Sequence, residues 1–151
     1  IICEILNNIC LCGICVSLVR HIILEIYSDF YNNYKNISDK EIDVILRLMV
    51  NYYEPVKINK ILQLIDYNQK FFTDCLMIMC NVAKSNIIIN IGNVIKIYEK
   101  NPTEKNTRYI LGLMCNSKNH NIYYDCDIVL EKSKMYIDNK EIQERVKYYK
   151  L

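Results

Sequence analysis

Phe72-Thr-Asp-Cys-Leu-Met-Ile-Met-Cys-Asn81 is the stretch whose reading decides the fold. Phe72, Cys75, Leu76 and Met79 fall at i, i+3, i+4 and i+7, which places four apolar side chains on one face of a helix, and Asn81 follows two residues later. The same frame returns as Ile42, Ile45, Leu46 and Met49 before Asn51, and as Thr107, Ile110, Leu111 and Met114 before Asn116. A shortened copy, Ile2, Cys3 and Leu6 before Asn8, opens the chain. A helix that recurs with one apolar face and one fixed polar position predicts a repeat protein, because each copy is too small to bury its own stripe and must stack on a neighbour.

The four Asn residues stand 43, 30 and 35 residues apart, so the array is irregular. One interval is better matched than the rest. Met79-Cys-Asn81 repeats as Met114-Cys-Asn116 and Asn86-Ile87 as Asn121-Ile122, all in one register of 35 residues.

Composition agrees with helices. The chain has 151 residues, 52% of them hydrophobic, enough for one domain with a real core. Three Gly and two Pro leave too few turn residues for a fold of many short strands. A net charge of +2 supplies no field that would draw nucleic acid or an anionic membrane. The longest apolar run, Ile9 to Val19, is shorter than the ~20 residues a membrane span needs. The eight cysteines lie within apolar helical runs, where a thiol behaves as a small hydrophobe, so reduced thiols and an intracellular, cytoplasmic or nuclear, location are expected. The chain opens at Ile1 inside a copy of the frame, as a piece of a larger array would.

Local signals place the other helices. The sequence predicts a short helix from Ile14 to about His21 and a longer one over Ile23, Ile26, Tyr27 and Phe30. Ser38-Asp-Lys-Glu41 is a capping box that starts a helix at Asp39, expected to run to about Tyr53. Pro55 suits the first turn of the next, striped by Ile58, Ile61, Leu62 and Ile65. Asp66 to Gln69 reads as a connection and Lys84 to Asn86 as a turn. Ile91, Val94, Ile95 and Tyr98 form another stripe, stopped by Asn101-Pro102. Ser117 to Asn121 reads as a polar loop and Ile122 to Met135 as a helix with Cys126, Val129 and Leu130 inward, with a strand as the alternative from Tyr123-Tyr124 and Ile128-Val129. A second cap at Asp138-Asn-Lys-Glu141 opens the final helix, with Ile142, Val146 and Tyr149 in the frame.

The frame apolar-Leu-x-x-Met-x-Asn, present as Ile45-Leu46-x-x-Met49-x-Asn51, Cys75-Leu76-x-x-Met79-x-Asn81 and Ile110-Leu111-x-x-Met114-x-Asn116, resembles the third helix of an armadillo repeat. The resemblance covers nearly the whole chain with a degenerate motif. It implies an all-α, armadillo- or HEAT-like superhelix of about three to four irregular repeats over residues 1–151. It also implies a non-enzymatic scaffold that takes an extended peptide along a concave groove, with Asn8, Asn51, Asn81 and Asn116 gripping the peptide backbone. An amide offers both a donor and an acceptor and can do this without reading sequence. Importin-like repeats place Trp four residues before the Asn; here Glu4, Arg47, Met77 and Gly112 stand there, so nuclear-import cargo is not expected. Arg47 would favour an acidic residue in the partner.

Two other readings compete. The 35-residue register and two-helix units resemble pentatricopeptide proteins, which read RNA one base per repeat. Alternatively the repeat reflects an Asn- and Ile-rich composition, and the chain is a compact Bcl-2-like bundle around one helix that is apolar on all sides. No cofactor or metal is expected, since Cys10-x-Cys12-x-x-Cys15 with His21 lacks a second ligand pair. No phosphate-binding Gly loop, nucleophile elbow or HExxH is present, and Asp125-x-Asp127 lacks a third ligand, so catalysis is not expected.

Overall fold

The computed structural model describes residues 16–65 and 69–151, and within them all regular structure is helical. The chain divides into two compact units, the first ending at Leu64 and the second spanning Ile65–Leu151. The copy of the frame before Asn8, the Cys10-Cys12-Cys15 group and most of the Asp66–Gln69 connection lie outside the described residues.

The first unit holds α1 (Val16–Asn33), α2 (Asp39–Asn51) and α3 (Pro55–Ile65). The expected break near His21 is absent, and α1 runs through it as a single helix of 18 residues. Nothing in His21-Ile22-Ile23 terminates a helix, and His21 pairs with Glu25 one turn on at 3.1 Å. Ile23, Tyr27 and Phe30 form its buried stripe. Ser38 caps α2 by accepting from the Glu41 amide at 3.3 Å, which is the hydroxyl half of the predicted capping box. That helix stops at Asn51 rather than Tyr53, and the Tyr52 carbonyl accepts from the Tyr27 hydroxyl at 2.7 Å, which fixes the α2–α3 link to α1.

The second unit holds α4 (Phe72–Val82), α5 (Ile91–Lys100), α6 (Glu104–Lys118), α7 (Asp127–Ser133) and α8 (Lys140–Lys150). Helix α6 packs against α4 on one side and α8 on the other, while α5 packs against α7, which also touches α6 and α8. The row α4–α6–α8 runs parallel. At one end Thr73 donates to Asn106 at 2.7 Å and Asn139 to Glu104; at the other Asn116 donates to the Cys80 carbonyl at 2.8 Å and Lys118 to the Tyr148 carbonyl at 2.8 Å. Parallel helices add their dipoles, and the side chains answer them. Asp74, Glu104 and Glu141 sit in the first turns, with Lys118, Lys147 and Lys150 in the last turns of α6 and α8.

Six of the bonds that tie this unit together span a nearly constant separation, while others, such as Tyr149 to Tyr124, Lys118 to Tyr148 and Cys115 to Arg145, span 25 to 30 residues. Thr73 to Asn106, Ile89 to Tyr124, Cys80 to Asn116, Lys84 to His120, Pro102 to Tyr136 and Glu104 to Asn139 are 33 to 36 residues apart. These six separations lie within two residues of the 35-residue register seen in the sequence.

All twelve apolar-frame positions of the three described copies are buried: Ile42, Ile45, Leu46, Met49; Phe72, Cys75, Leu76, Met79; and Thr107, Ile110, Leu111, Met114. At about 1.5–3 kcal/mol for each large side chain removed from water, these stripes are a main source of cohesion. Helix α6 goes further, with Leu113 and Gly112 buried as well, so the middle member of the row is enclosed on most of its circumference.

Three expectations for the second unit need correction. Helix α6 runs to Lys118, two residues into the expected Ser117–Asn121 loop, and the turn after it ends at Asn121, whose φ of 58° gives the left-handed residue of a C-terminal cap in which the Ile122 amide reaches the Ser117 carbonyl at 3.0 Å. The matching pair Asn86-Ile87 makes a different turn, Ile87 bonding Ser85 at 2.8 Å. The helix predicted over Ile122–Met135 is confined to Asp127–Ser133, followed by a short 3-10 turn. Residues before it stay extended because the Tyr149 hydroxyl takes both backbone groups of Tyr124, donating to its carbonyl at 2.7 Å and accepting from its amide at 3.3 Å. The final helix is capped by Asn139 rather than Asp138, its side chain accepting from the Ile142 amide at 3.0 Å.

Candidate functional site

Among the described candidate contact residues, Arg47 and Asn81 are exposed, while Asn51 and Asn116 are half-buried. On α2, the buried set leaves Asp43, Arg47 and Val50 exposed and Asn51 half-buried. Arg47 pairs with Asp43 at 2.8 Å, both side chains being more than half exposed, so the pair contributes little to stability and Arg47 can exchange it for another carboxylate at small cost. On α4, Asp74 and Asn81 are exposed and Met77 half-buried. On α6, Arg108, Cys115 and Asn116 are half-buried, with Gly112 enclosed between them. The structure thus brings Asn81 and Asn116 onto adjacent helices of the second unit, Asn116 itself bonding the carbonyl of Cys80, the residue before Asn81. Asn51 and Arg47 belong to the first unit, and Asn8 lies outside the described residues.

Asn116 is partly committed. Its amide nitrogen donates to the Cys80 carbonyl and lies 3.6 Å from the Cys80 sulfur, while its amide oxygen makes no hydrogen bond among the described residues. It is therefore able to accept from an incoming backbone N–H but not to donate without releasing α4.

Gly112, four residues before Asn116, is where three helices meet most closely. A Cβ there would fall 2.7 Å from the Cys80 sulfur and 2.8 Å from Arg145 Nη1. Arg145 reaches from α8 across α6, donates to the Arg108 carbonyl, and holds Glu141 at 2.8 Å, which in turn lies 3.7 Å from Arg108. Arg145 stands 35 residues after Ile110, where the frame has an inward apolar residue, and its neighbour is a glycine whose role emerges only in three dimensions. Cys115 donates to the Arg145 carbonyl at 3.4 Å. Burial pushes both the Cys80 and Cys115 thiols up, outweighing the opposite pull of Arg145, so both are neutral packing groups rather than nucleophiles.

Beneath the row lies a polar seam. Thr107 donates to the Thr103 carbonyl at 2.8 Å, which leaves the Tyr98 hydroxyl as the donor in its 2.7 Å contact with Thr107. Asn106 links Thr73 to the Asn101 carbonyl. These groups are buried and satisfied, and set the register between helices.

Among the described residues no group of three or more His, Cys, Asp or Glu is arranged to hold a metal ion, and no helix is long and apolar enough to cross a membrane. The described cysteines, Cys75, Cys80, Cys115 and Cys126, are free thiols. The carboxylates Asp125 and Asp127 flank buried Cys126, whose thiol is pushed up to about 12, chiefly by burial and then by these two charges.

No protein-family model, curated protein or solved structure matches this chain.

Proposed function

We propose that this protein is a non-enzymatic scaffold of stacked, armadillo-like helical repeats that binds an extended segment of a protein partner across the exposed faces of its frame helices. The observation that supports the reading is a set of six hydrogen bonds at 33 to 36 residues, two of which, Thr73 to Asn106 and Asn116 to Cys80, join α4 to α6, close to a sequence repeat of 35. Alternate helices lying side by side leave a row of equivalent positions on one surface, and an extended chain also presents equivalent groups at regular intervals. On the second unit Asn81 and the Asn116 oxygen would meet its backbone; the first unit, taken by itself, offers Asn51 and Arg47 as the equivalent groups. Reduced cysteines fit a cytoplasmic or nuclear setting.

The test uses peptides selected from a displayed random library on the full chain. Replacing Asn51, Asn81 and Asn116 together by Ala is expected to weaken their binding roughly tenfold or more while helicity is retained. Unchanged affinity in the triple variant rejects the reading.

The same spacing of about 35 residues over two helices also suits a pentatricopeptide-like RNA binder. The low net charge weighs against it. Tight binding of single-stranded RNA with a steep salt dependence would put that reading first.

A further inference from the structure

The first unit carries a second surface that the frame helices do not use. Between α1 and α3 lies an open cleft of about 310 Å³, lined by Tyr27, Ser28, Tyr31 and Asn32 on one side and by Val56, Lys57, Lys60 and Ile61 on the other. Its floor is apolar, since Tyr27 and Ile61 are buried. Its walls are apolar but open, with Tyr31 46% and Val56 54% exposed.

The rim is cationic and uncompensated. Lys57 is held by a neutral group, donating to the Ser28 hydroxyl at 3.0 Å, and that hydroxyl donates on to the Leu24 carbonyl at 3.0 Å. Lys60 has no hydrogen-bond or ion-pair partner among the described residues. Of the carboxylates on α1, Glu25 is paired with His21, and neither it nor Asp29 pairs with either lysine. An ammonium fixed by a hydroxyl keeps its full charge and two unused donors.

We propose that this cleft docks a short acidic segment of a partner protein, one apolar side chain entering between Tyr31 and Val56 while flanking carboxylates meet Lys57 and Lys60. The size fits one or two side chains, being at the small end of the range for ligand sites. Two cations over an apolar floor suit a peptide better than a nucleic acid, whose backbone requires several spread charges. The proposal rests on none of the Asn positions.

The experiment measures fluorescence anisotropy of labelled peptide pools on the full chain: Asp/Glu flanking Leu, Ile, Met or Phe, the same pool with Lys/Arg flanks, and the acidic pool with Ala at the apolar position. The acidic apolar pool should bind best. Its affinity should fall roughly tenfold in Lys57→Glu/Lys60→Glu, less in Lys57→Gln/Lys60→Gln, and between about 50 and 300 mM salt. It should be unaffected by Asn81→Ala/Asn116→Ala, which separates this site from the scaffold groove. Circular dichroism establishes that the variants remain folded. Equal binding of basic and acidic pools, unchanged affinity in the folded double-Glu variant, or preferential capture of oligo-uridine by the same lysines would overturn the proposal.

Discussion

Replacing Gly112 by Ala tests how the helices of the second unit are held together. In an ordinary exposed helix position this change stabilises by about 1 kcal/mol, because Ala loses less backbone freedom and shields the helix. Here the new methyl meets the Cys80 sulfur at 2.7 Å and Arg145 Nη1 at 2.8 Å, closer than van der Waals contact allows. Arg145 would have to withdraw, giving up its bond to the Arg108 carbonyl and its hold on Glu141. A charge-assisted hydrogen bond contributes about 1.5–3 kcal/mol, and partial exposure of Arg145 puts this one near 1–2. Turning the Cys80 side chain out of its rotamer costs about 0.5–1 kcal/mol more. Set against the propensity gain, Gly112→Ala should destabilise by about 0.5–2 kcal/mol in urea unfolding. In an Arg145→Ala background much of that cost is already lost, so the double-mutant cycle should show coupling of about 1 kcal/mol. Stabilisation by Gly112→Ala, or additivity within about 0.3 kcal/mol, would refute the close approach of α8 to α6.

Tyr149→Phe removes the hydroxyl that serves both backbone groups of Tyr124, and should cost about 1–3 kcal/mol in the same assay, with faster amide exchange at Tyr124; a change below about 0.3 kcal/mol would show that water replaces it freely. Alkaline stability follows from the buried thiols. Cys126 stays protonated in the folded chain up to about pH 12, whereas the unfolded thiol ionises near 9, so its contribution is fully present below pH 9 and is lost as pH rises from 9 to 12. Burial shifts Cys80, Cys115, Tyr98 and Tyr149 in the same direction. The melting temperature should therefore fall above pH 9, and Cys126→Ala should flatten part of that fall; identical pH slopes for the two proteins would contradict the assignment.

The buried stripes were readable in the sequence because burial on a helix imposes its own period. Ile45, Leu76 and Leu111 each sit in a run whose apolar residues return every three to four positions, and each is within a few per cent of complete burial. The Ser38 cap and the stop at Asn101-Pro102 were readable for the same reason, being decided by neighbours in the chain. The helix at Ile122 failed because the competing partner of Tyr124 is Tyr149, 25 residues away. Likewise Gly112 carries no local sign that Arg145 and Cys80 will converge on it, and nothing near Lys57 and Lys60 in the sequence announces that Ser28 and Tyr31 will stand beside them. Period alone sets Asn51, Asn81 and Asn116 off the buried stripes, but the commitment of the Asn116 nitrogen to Cys80 depends on a residue 36 positions earlier.

The most direct test is a nuclear Overhauser spectrum of the full chain labelled for the second unit's contacts. Stacking in step with the 35-residue repeat predicts cross-peaks from the Ile89 amide to the Tyr124 ring, from the Thr73 methyl to the Asn106 side chain, and from Lys84 to the His120 ring. Absence of all three, with α4, α5, α7 and α8 each showing contacts to α6 alone, would mean a bundle wrapped around one helix and would remove the basis for a repeat scaffold.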